Sequence, residues 1–406
     1  MQYDVIVVGG GPVGCAVGRD IAAAGRRVLI LEEHSRPGEP LQCAGLISTR
    51  TFSLSGVSRQ VIQHRLKGVR LYSPAGQLMD LAGERVYALA VDRVAFDRDL
   101  AGQAVAAGAE MVPSARVTAL AHVPGGVRAQ VRRDGGSEVF TGRLVVGADG
   151  HNSLVARWLG LPPPLEKVPM YSAEVELEEQ AQSLMTVFLG RNLAPGWFGW
   201  IIPLGAGRAR VGLGAADRTA SGKCNLRLLF NELTEQYPRL FRGMKIVRST
   251  GGVVPLGWRE RTYGPYAMLA GDAACHVKPI SGGGLFLGLT AARCCAGTAL
   301  RALDAEDYSE QFLSSYQQAW EAQIGGEIKC GLHHRQIFLD LSDREMDCLI
   351  GFFNKPYWRR LVLKHGDIDY HSRLAGKLSG APPWARRFVT GGLKKLLCCC
   401  AAVSKS

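Results

Sequence analysis

The sequence predicts an α/β protein in which a parallel sheet flanked by helices is interleaved with an antiparallel sheet and followed by a mainly helical C-terminal region. Three observations predict it. Residues 3–33 run strand, glycine turn, helix, strand; residues 168–214 alternate apolar and polar positions; and the last ~100 residues carry helical periodicity with few strand signals.

The composition of the 406 residues, 47% hydrophobic and 21% charged, excludes intrinsic disorder. The 50 glycines show no three-residue period, which excludes a collagen-like chain. No window supplies the ~18 uncharged apolar residues of a membrane-spanning helix. A cleavable signal peptide is not expected either, because the first apolar run contains Asp4 and leads straight into glycines. These exclusions leave a globular protein.

In chain order, Tyr3 to Val8 is short, continuous and β-branched, as a buried strand requires. Cys15 to Ala24 places small and apolar residues at helical spacing and stops at Gly25. Arg27 to Leu31 is the second strand, closing on Glu32 and Glu33. Asp97 to Gly108 reads as a helix, Leu144 to Val146 and Ala267 to Leu269 as short buried strands, and Asn225 to Tyr237 as another helix. The predicted organisation is a nucleotide-binding domain over 1–165 with 252–330, interrupted near 66–91. An antiparallel-sheet substrate domain over 166–251 and a basic helical region over 331–406 complete it.

Gly9-Gly-Gly-Pro-Val-Gly14 sits between that first strand and helix, with an acid closing the next strand. Glycine turns are common, but this context is that of a Rossmann-type nucleotide site. Gly9 allows the tight turn and Gly11 lets backbone approach a pyrophosphate. Gly14 brings the helix close to the strand, so that its positive N-terminus faces the phosphates. Glu32, with Glu33 beside it, is placed to accept hydrogen bonds from ribose hydroxyls. The motif does not separate FAD from NAD.

Leu144-Val-Val-Gly-Ala-Asp-Gly-His-Asn-Ser153 and Met268-Leu-Ala-Gly-Asp-Ala-Ala274 follow in order. They resemble the second and third fingerprints of flavin-dependent monooxygenase-type proteins, the group typified by para-hydroxybenzoate hydroxylase. Asp92-Arg-Val-Ala-Phe-Asp-Arg-Asp-Leu100 matches the same group. The resemblance implies FAD. Asp272, beside Gly271, would bind the ribityl chain, Arg93 would reach the cofactor, and Asp149 with Gly150 would shape its site. Val117 falls among the implied cofactor contacts. Pro279-Ile-Ser-Gly-Gly-Gly284 and Leu285 follow the third fingerprint, and Gly283 and Gly284 would offer backbone amides to the electron-rich edge of reduced flavin.

Pro40-Leu-Gln-Cys-Ala-Gly45 resembles the signature of the geranylgeranyl reductase family, which carries a cysteine near the isoalloxazine. Cys43, Ala44 and Gly45 are thereby placed at the flavin. A second family feature is the strand Pro195-Gly-Trp-Phe-Gly-Trp-Ile-Ile-Pro203, where Phe198 replaces the usual Tyr. The resemblance covers roughly residues 1 to 330 and implies reduction of C=C bonds in polyprenyl chains of lipids or quinones, by hydride transfer from reduced FAD. Cys43 is the candidate proton donor or flavin-orienting thiol, although a small buried packing residue satisfies the same sequence. Phe198 and Trp200 share one face of a strand and are the candidate substrate contacts. With only one dinucleotide fingerprint, the reductant is open between NADPH and ferredoxin or another electron-donor protein.

An FAD-dependent monooxygenase of an aromatic or quinone substrate is the alternative, since one fold hosts both chemistries. The Cys43 loop stands against it. A flavin-dependent halogenase fits less well, because Trp197 and Trp200 are spaced one residue too far apart for its motif. A non-catalytic flavin carrier docked at a membrane does not account for the apolar substrate strand.

The net charge is +12, and residues 351–406 hold eleven Lys or Arg against Asp367 and Asp369. Aromatic and aliphatic residues interleave with these bases, a pattern suited to an anionic membrane surface as well as to a solvated helical face. No nucleic-acid-binding motif is present. Eleven cysteines without a Cys-x-x-Cys spacing fit neither a disulfide framework nor a metal site. The cysteines predict a reducing cytoplasm and the basic C-terminal region predicts peripheral membrane association, with the Cys398-Cys399-Cys400 run unassigned.

Overall fold

The computed structural model describes residues 2–133, 135–178, 183–216 and 224–374. Gln2–Val8 lies at the centre of the first sheet, pairing in parallel with Val28–Leu31 and with residues 141–147 of Gly136–Gly147. Glu110–Val112 and Ala267–Leu269 extend the parallel order on the two sides. Both faces of this sheet are covered, which is why its strands read as unbroken Val, Ile and Leu rather than alternating. On one face Val5, Val7, Ile30 and Val146 share a core with the helices Pro12–Ala22, Arg93–Ala106 and Leu285–Ala305. On the other, Ile6, Val8, Leu29 and Val145 pack against the strands Arg116–Val123 and Gly126–Arg133 and the helix Leu154–Trp158.

Two helices begin earlier than the periodicity predicts. Pro12 starts the first, its fixed φ suiting a first turn that needs no N–H. Arg93 starts the other, because the Asp92 carboxylate accepts from the N–H groups of Val94 (3.0 Å) and Ala95 (3.1 Å).

The second sheet has seven strands in the order Lys245–Leu256, Glu166–Glu176, Arg208–Gly214, Gly199–Gly205, Leu184–Phe188, Gly68–Tyr72 and Leu78–Ala82. Its neighbours are antiparallel except for Leu184–Phe188 with Gly68–Tyr72, so two strands from the 66–91 stretch complete it. Ile201, Val211 and Leu213 face the helix Leu226–Gln236. Trp200, Ile202 and Leu204 turn the other way, toward Leu66, Ala88 and Ala90. A small sheet of Leu46–Ser48, Ala88–Val91 and Ile62–Leu66 links the two halves.

Beyond Leu285–Ala305 the chain is helical, as predicted, through Pro356–His365. The helices Asp343–Phe353 and Pro356–His365 seat Ile350, Val362 and Leu363 on Met79 and Leu81 of the second sheet. Among the described residues no helix is long and apolar enough to cross a membrane. Cys398, Cys399 and Cys400 lie outside the described residues.

Candidate active site

The glycine turn divides its work as the sequence suggests. Gly9 holds φ +102°, and a Cβ there would strike the Ala148 carbonyl; a Cβ at Gly14 would land on the Gly9 carbonyl oxygen. At Gly11 a Cβ would meet nothing within 4 Å, so this glycine leaves space for something other than protein. Gly11 is also the N-cap of Pro12–Ala22 and brings no side-chain cap, leaving the first helical N–H groups open to an anion. Glu32 is buried behind the turn. It accepts from Gly10 N–H (2.7 Å) and His34 N–H (2.9 Å), so it shapes the turn. Glu33 points outward to Arg116 at 3.6 Å, and Val117 is buried in the adjoining strand.

The second fingerprint acts through a cap. Asp149 accepts from Ser153 Oγ (2.6 Å), Leu154 N–H (2.6 Å) and Val155 N–H (3.1 Å), fixing the helix that follows Gly150, itself at φ +71°. In the third, a Cβ at Gly271 would come 3.0 Å from Val13 Cγ2, which ties this loop to the first helix. Burial pushes the Asp272 carboxyl up to about 6, against the opposing pull of Arg93. Its Oδ1 lies 3.1 Å from where a Gly284 Cβ would stand. Gly284 is the N-cap of Leu285–Ala305, again without a side-chain cap, and Leu285 is partly exposed beside it. Pro279 supports the loop from behind, against Gly331. His276 is fully buried against Trp320 (centroids 4.6 Å apart), and burial lowers its pKa to about 3; it is a neutral packing residue.

Cys43 stands between the halves. Its Sγ accepts from Gly45 N–H at 3.4 Å and lies against the Arg93 guanidinium. Arg93 is buried and paired to both oxygens of Asp97, at 2.9 and 3.1 Å. Burial opposes its charge, yet Asp97 and Cys43 hold its pKa above the ordinary value. Arg210 passes beneath the loop and donates to the carbonyls of Ala44 (3.0 Å) and Val91 (2.9 Å) and to Gln63 Oε1 (2.8 Å). Gly45, at φ +68°, leaves room for that guanidinium. Glu174, which also pairs with Arg208 and Arg248, sits 3.9 Å from Arg210 Nε.

The remaining wall is apolar. Trp197 and Trp200 are buried, and the partly exposed Phe198 stacks on Trp197 (5.3 Å, 14°) and meets Trp200 edge-on (6.0 Å, 66°). Phe198 and Trp200 share a face, and Ile201 takes the other, as the strand alternation requires. Ala44 and Leu46 of the cysteine loop and Val277 of the third fingerprint join the same cluster. The sequence-predicted residues thus gather at two ends of one site, a phosphate end and an apolar end, with Cys43, Arg93 and Asp272 between them.

FAD fits this arrangement: two uncapped helix N-termini, the open face of Gly11 and an unpaired Asp272 carboxylate suit a pyrophosphate, a flavin edge and a ribityl chain. A family model described as FAD binding domain matches residues 2–323. A digeranylgeranylglycerophospholipid reductase 2 from Methanopyrus kandleri is 33% identical over 375 residues, 89% of this chain and 93% of its own. The chain belongs to the geranylgeranyl reductase family of FAD-binding proteins. Another member, the digeranylgeranylglycerophospholipid reductase 2 of Methanothermobacter thermautotrophicus, is 32% identical, covering 86% of this chain and 91% of its own. A geranylgeranyl bacteriochlorophyll reductase-like structure from Thermoplasma acidophilum shares the fold, with TM-score 0.82 and 23% identity over 93% of this chain and 99% of that one.

Three residues of this geranylgeranyl reductase family member escape sequence reasoning. Arg210 shares its strand with Arg208, and nothing local names the Cys43 loop as its partner. Lys278 precedes Pro279 and is buried. Its partner Asp369 is 91 positions away, although two acids among eleven bases were a visible signal.

Proposed function

We propose that this protein reduces C=C bonds in geranylgeranyl-type chains carried by a lipid, the class named in its relatives, with Cys43 supplying or positioning the proton. The observation that carries this reading is the apolar Trp197–Phe198–Trp200 wall meeting the Cys43 loop beside the flavin loops. FAD held by the Gly9–Gly14 turn and the Gly283–Gly284 loop would, once reduced by NADPH, ferredoxin or another donor, provide the hydride for one alkene carbon. The protein does the rest. The glycine turns hold the cofactor, and the aromatic wall orients the chain and excludes water. The Cys43 thiol, held by Gly45 N–H and beside Arg93, offers its proton at Sγ to the second carbon. Addition of that hydride and proton converts CH=C to CH2–CH, and solvent reprotonates the sulfur.

A membrane surface is the proposed source of such a chain. Lys355, Tyr357, Arg360 and Lys364 are exposed on and beside the helix Pro356–His365, whose opposite side is anchored by Trp358. Bases with an aromatic at this spacing suit anionic head groups. Reversal of Lys355, Arg360 and Lys364 to Glu should reduce co-sedimentation with anionic liposomes severalfold, and unchanged binding would remove this part.

The deciding experiment incubates the dithionite-reduced protein without oxygen with geranylgeranyl lipids and with menaquinone, and reads product masses. A gain of about two mass units per saturated bond is expected. No gain, with an oxygen atom added to an aromatic substrate once air enters, would establish the monooxygenase instead.

A further inference from the structure

Residues 366–372 lie where the apolar wall meets the third fingerprint and make both ion-paired and apolar contacts. Asp367 receives both Nη groups of Arg50 (3.0 Å each) and Arg373 Nη1 (3.0 Å). Asp369, fully buried, accepts from Ser48 Oγ (2.5 Å), Arg50 Nη1 (3.1 Å) and Lys278 Nζ (3.2 Å). Ser372 N–H reaches the buried Glu327 carboxylate (3.2 Å). Ile368 packs into the Trp200 cluster, and Tyr370 lies edge-on to Phe286, 5.3 Å away, in the first turn after the glycine loop.

Lys278 joins this strap to the flavin loop. Its Nζ also donates to the Ile368 carbonyl at 2.7 Å, and its backbone closes the loop, with Lys278 O accepting from Gly282 N–H (2.9 Å) and Lys278 N–H donating to Gly283 O (3.2 Å). A Cβ at Gly283 would stand 2.7 Å from Lys278 Cε, so the side chain runs directly beneath the glycines. Burial lowers the lysine's pKa and Asp369 opposes the shift. A buried ammonium with a carboxylate and a carbonyl as partners is a costly device on which to rest a loop unless those partners stay in place.

We propose that residues 366–372 form the wall that closes the apolar end of the site, with Ile368 limiting the girth of the alkyl chain admitted and Lys278 as the positioning residue that locks this wall to the flavin loop. The identity of the chain rests on the reductase reading; the locking does not. Two FAD-loaded full-length variants test it. In Lys278→Met, hydrogen exchange should rise at least about tenfold in peptides covering 278–284 and 366–373, with residues 12–22 unchanged. Adding Asp369→Asn to that variant should add little, because the pair acts as a unit. Unchanged exchange at 366–373 would overturn the lock, whatever the substrate is. In Ile368→Trp the flavin spectrum should be retained while KM for a geranylgeranyl lipid rises at least about tenfold and kcat changes less. An unchanged KM would overturn the wall. If the wild type reduces no prenyl chain, the reductase reading fails, and the exchange result still decides the lock.

Discussion

The phosphate end and the apolar end of the site are built by different means. At the phosphate end the candidate groups are backbone N–H donors of a turn and an uncapped helix start: Gly9 and Gly14 lack side chains because backbone stands where a Cβ would go, and Gly11 leaves open space. At the apolar end the candidate groups are side chains: Cys43, Phe198 and Trp200, near which Arg210, Lys278 and Asp369 are brought from segments far apart in the chain. A backbone site is specified locally. A side-chain site depends on partners that only the fold brings together.

Substitution of the glycines should break this contrast most severely. In Gly14→Val the new side chain meets the Gly9 carbonyl, and overpacking of this kind costs about 1–3 kcal/mol. The purified protein should be colourless, with no flavin absorbance. Gly11→Ala separates space from fold. Its Cβ meets no protein atom, so the apo protein should melt within about 2 °C of wild type. Its FAD affinity, measured by titration, should nevertheless fall at least about tenfold. Equal losses of apo stability in both variants would show that Gly11 serves the turn and not a ligand.

The same contrast explains what was legible in the sequence. The strand–turn–helix unit, the second and third fingerprints and the start of the aromatic strand are each contiguous, and their physics is contained within a few residues. The interruption near 66–91 is legible, but the pairing of its two strands is not, because Gly68–Tyr72 pairs in parallel with Leu184–Phe188, more than a hundred residues on. Asp149 could be assigned to the cofactor site from its motif, but its role as the cap of Leu154–Trp158 needed the fold. Likewise the acids of Asp367-Ile-Asp369 stood out against the basic tail, yet nothing nearby named Lys278, Ser48 and Arg50 as their partners.

At the apolar end, Trp200→Ala should cost about 3–5 kcal/mol of stability, as expected for a buried aromatic. Phe198→Ala, at a partly exposed position, should cost less and lower kcat/KM for a prenyl substrate by about 10–100-fold with FAD retained. Cys43→Ala should also retain FAD and slow turnover. If it is fully active, the proton comes from elsewhere and Cys43 only fills the loop. Arg210→Met tests the support of that loop: it leaves the carbonyls of Ala44 and Val91 and the Gln63 amide oxygen without their donor, at about 1–3 kcal/mol for each group that stays buried. Its FAD affinity should change less than that of Gly11→Ala. The reverse order would mean that the two ends are not separable.

The effect that depends on pH lies at Asp272, where the two ends meet. Burial raises its pKa to about 6 in the free protein, above the ordinary 3.8, so between these values the folded chain holds a proton that the unfolded chain has lost. Apo stability contributed by this group is therefore present at low pH and falls as pH rises from about 4 to 6, by up to about 3 kcal/mol. A ribityl hydroxyl donating to the carboxylate favours the ionised form and lowers the pKa, so FAD binding releases that proton. FAD affinity should then weaken as pH falls below about 6, by as much as tenfold per unit, and Asp272→Asn should flatten the profile. His276, at about 3, stays neutral in the folded chain and adds no slope to FAD affinity, but its imidazole protonates in the unfolded chain below about 6.5, so its own contribution to apo stability falls as pH drops through this window, opposite in sign to that of Asp272. Subtracting the Asn profile from wild type removes other carboxylates such as Asp149, which burial also raises. A pH-independent difference would mean that Asp272 is ionised with and without FAD, and that the cofactor contacts it without discharging the strain of its burial.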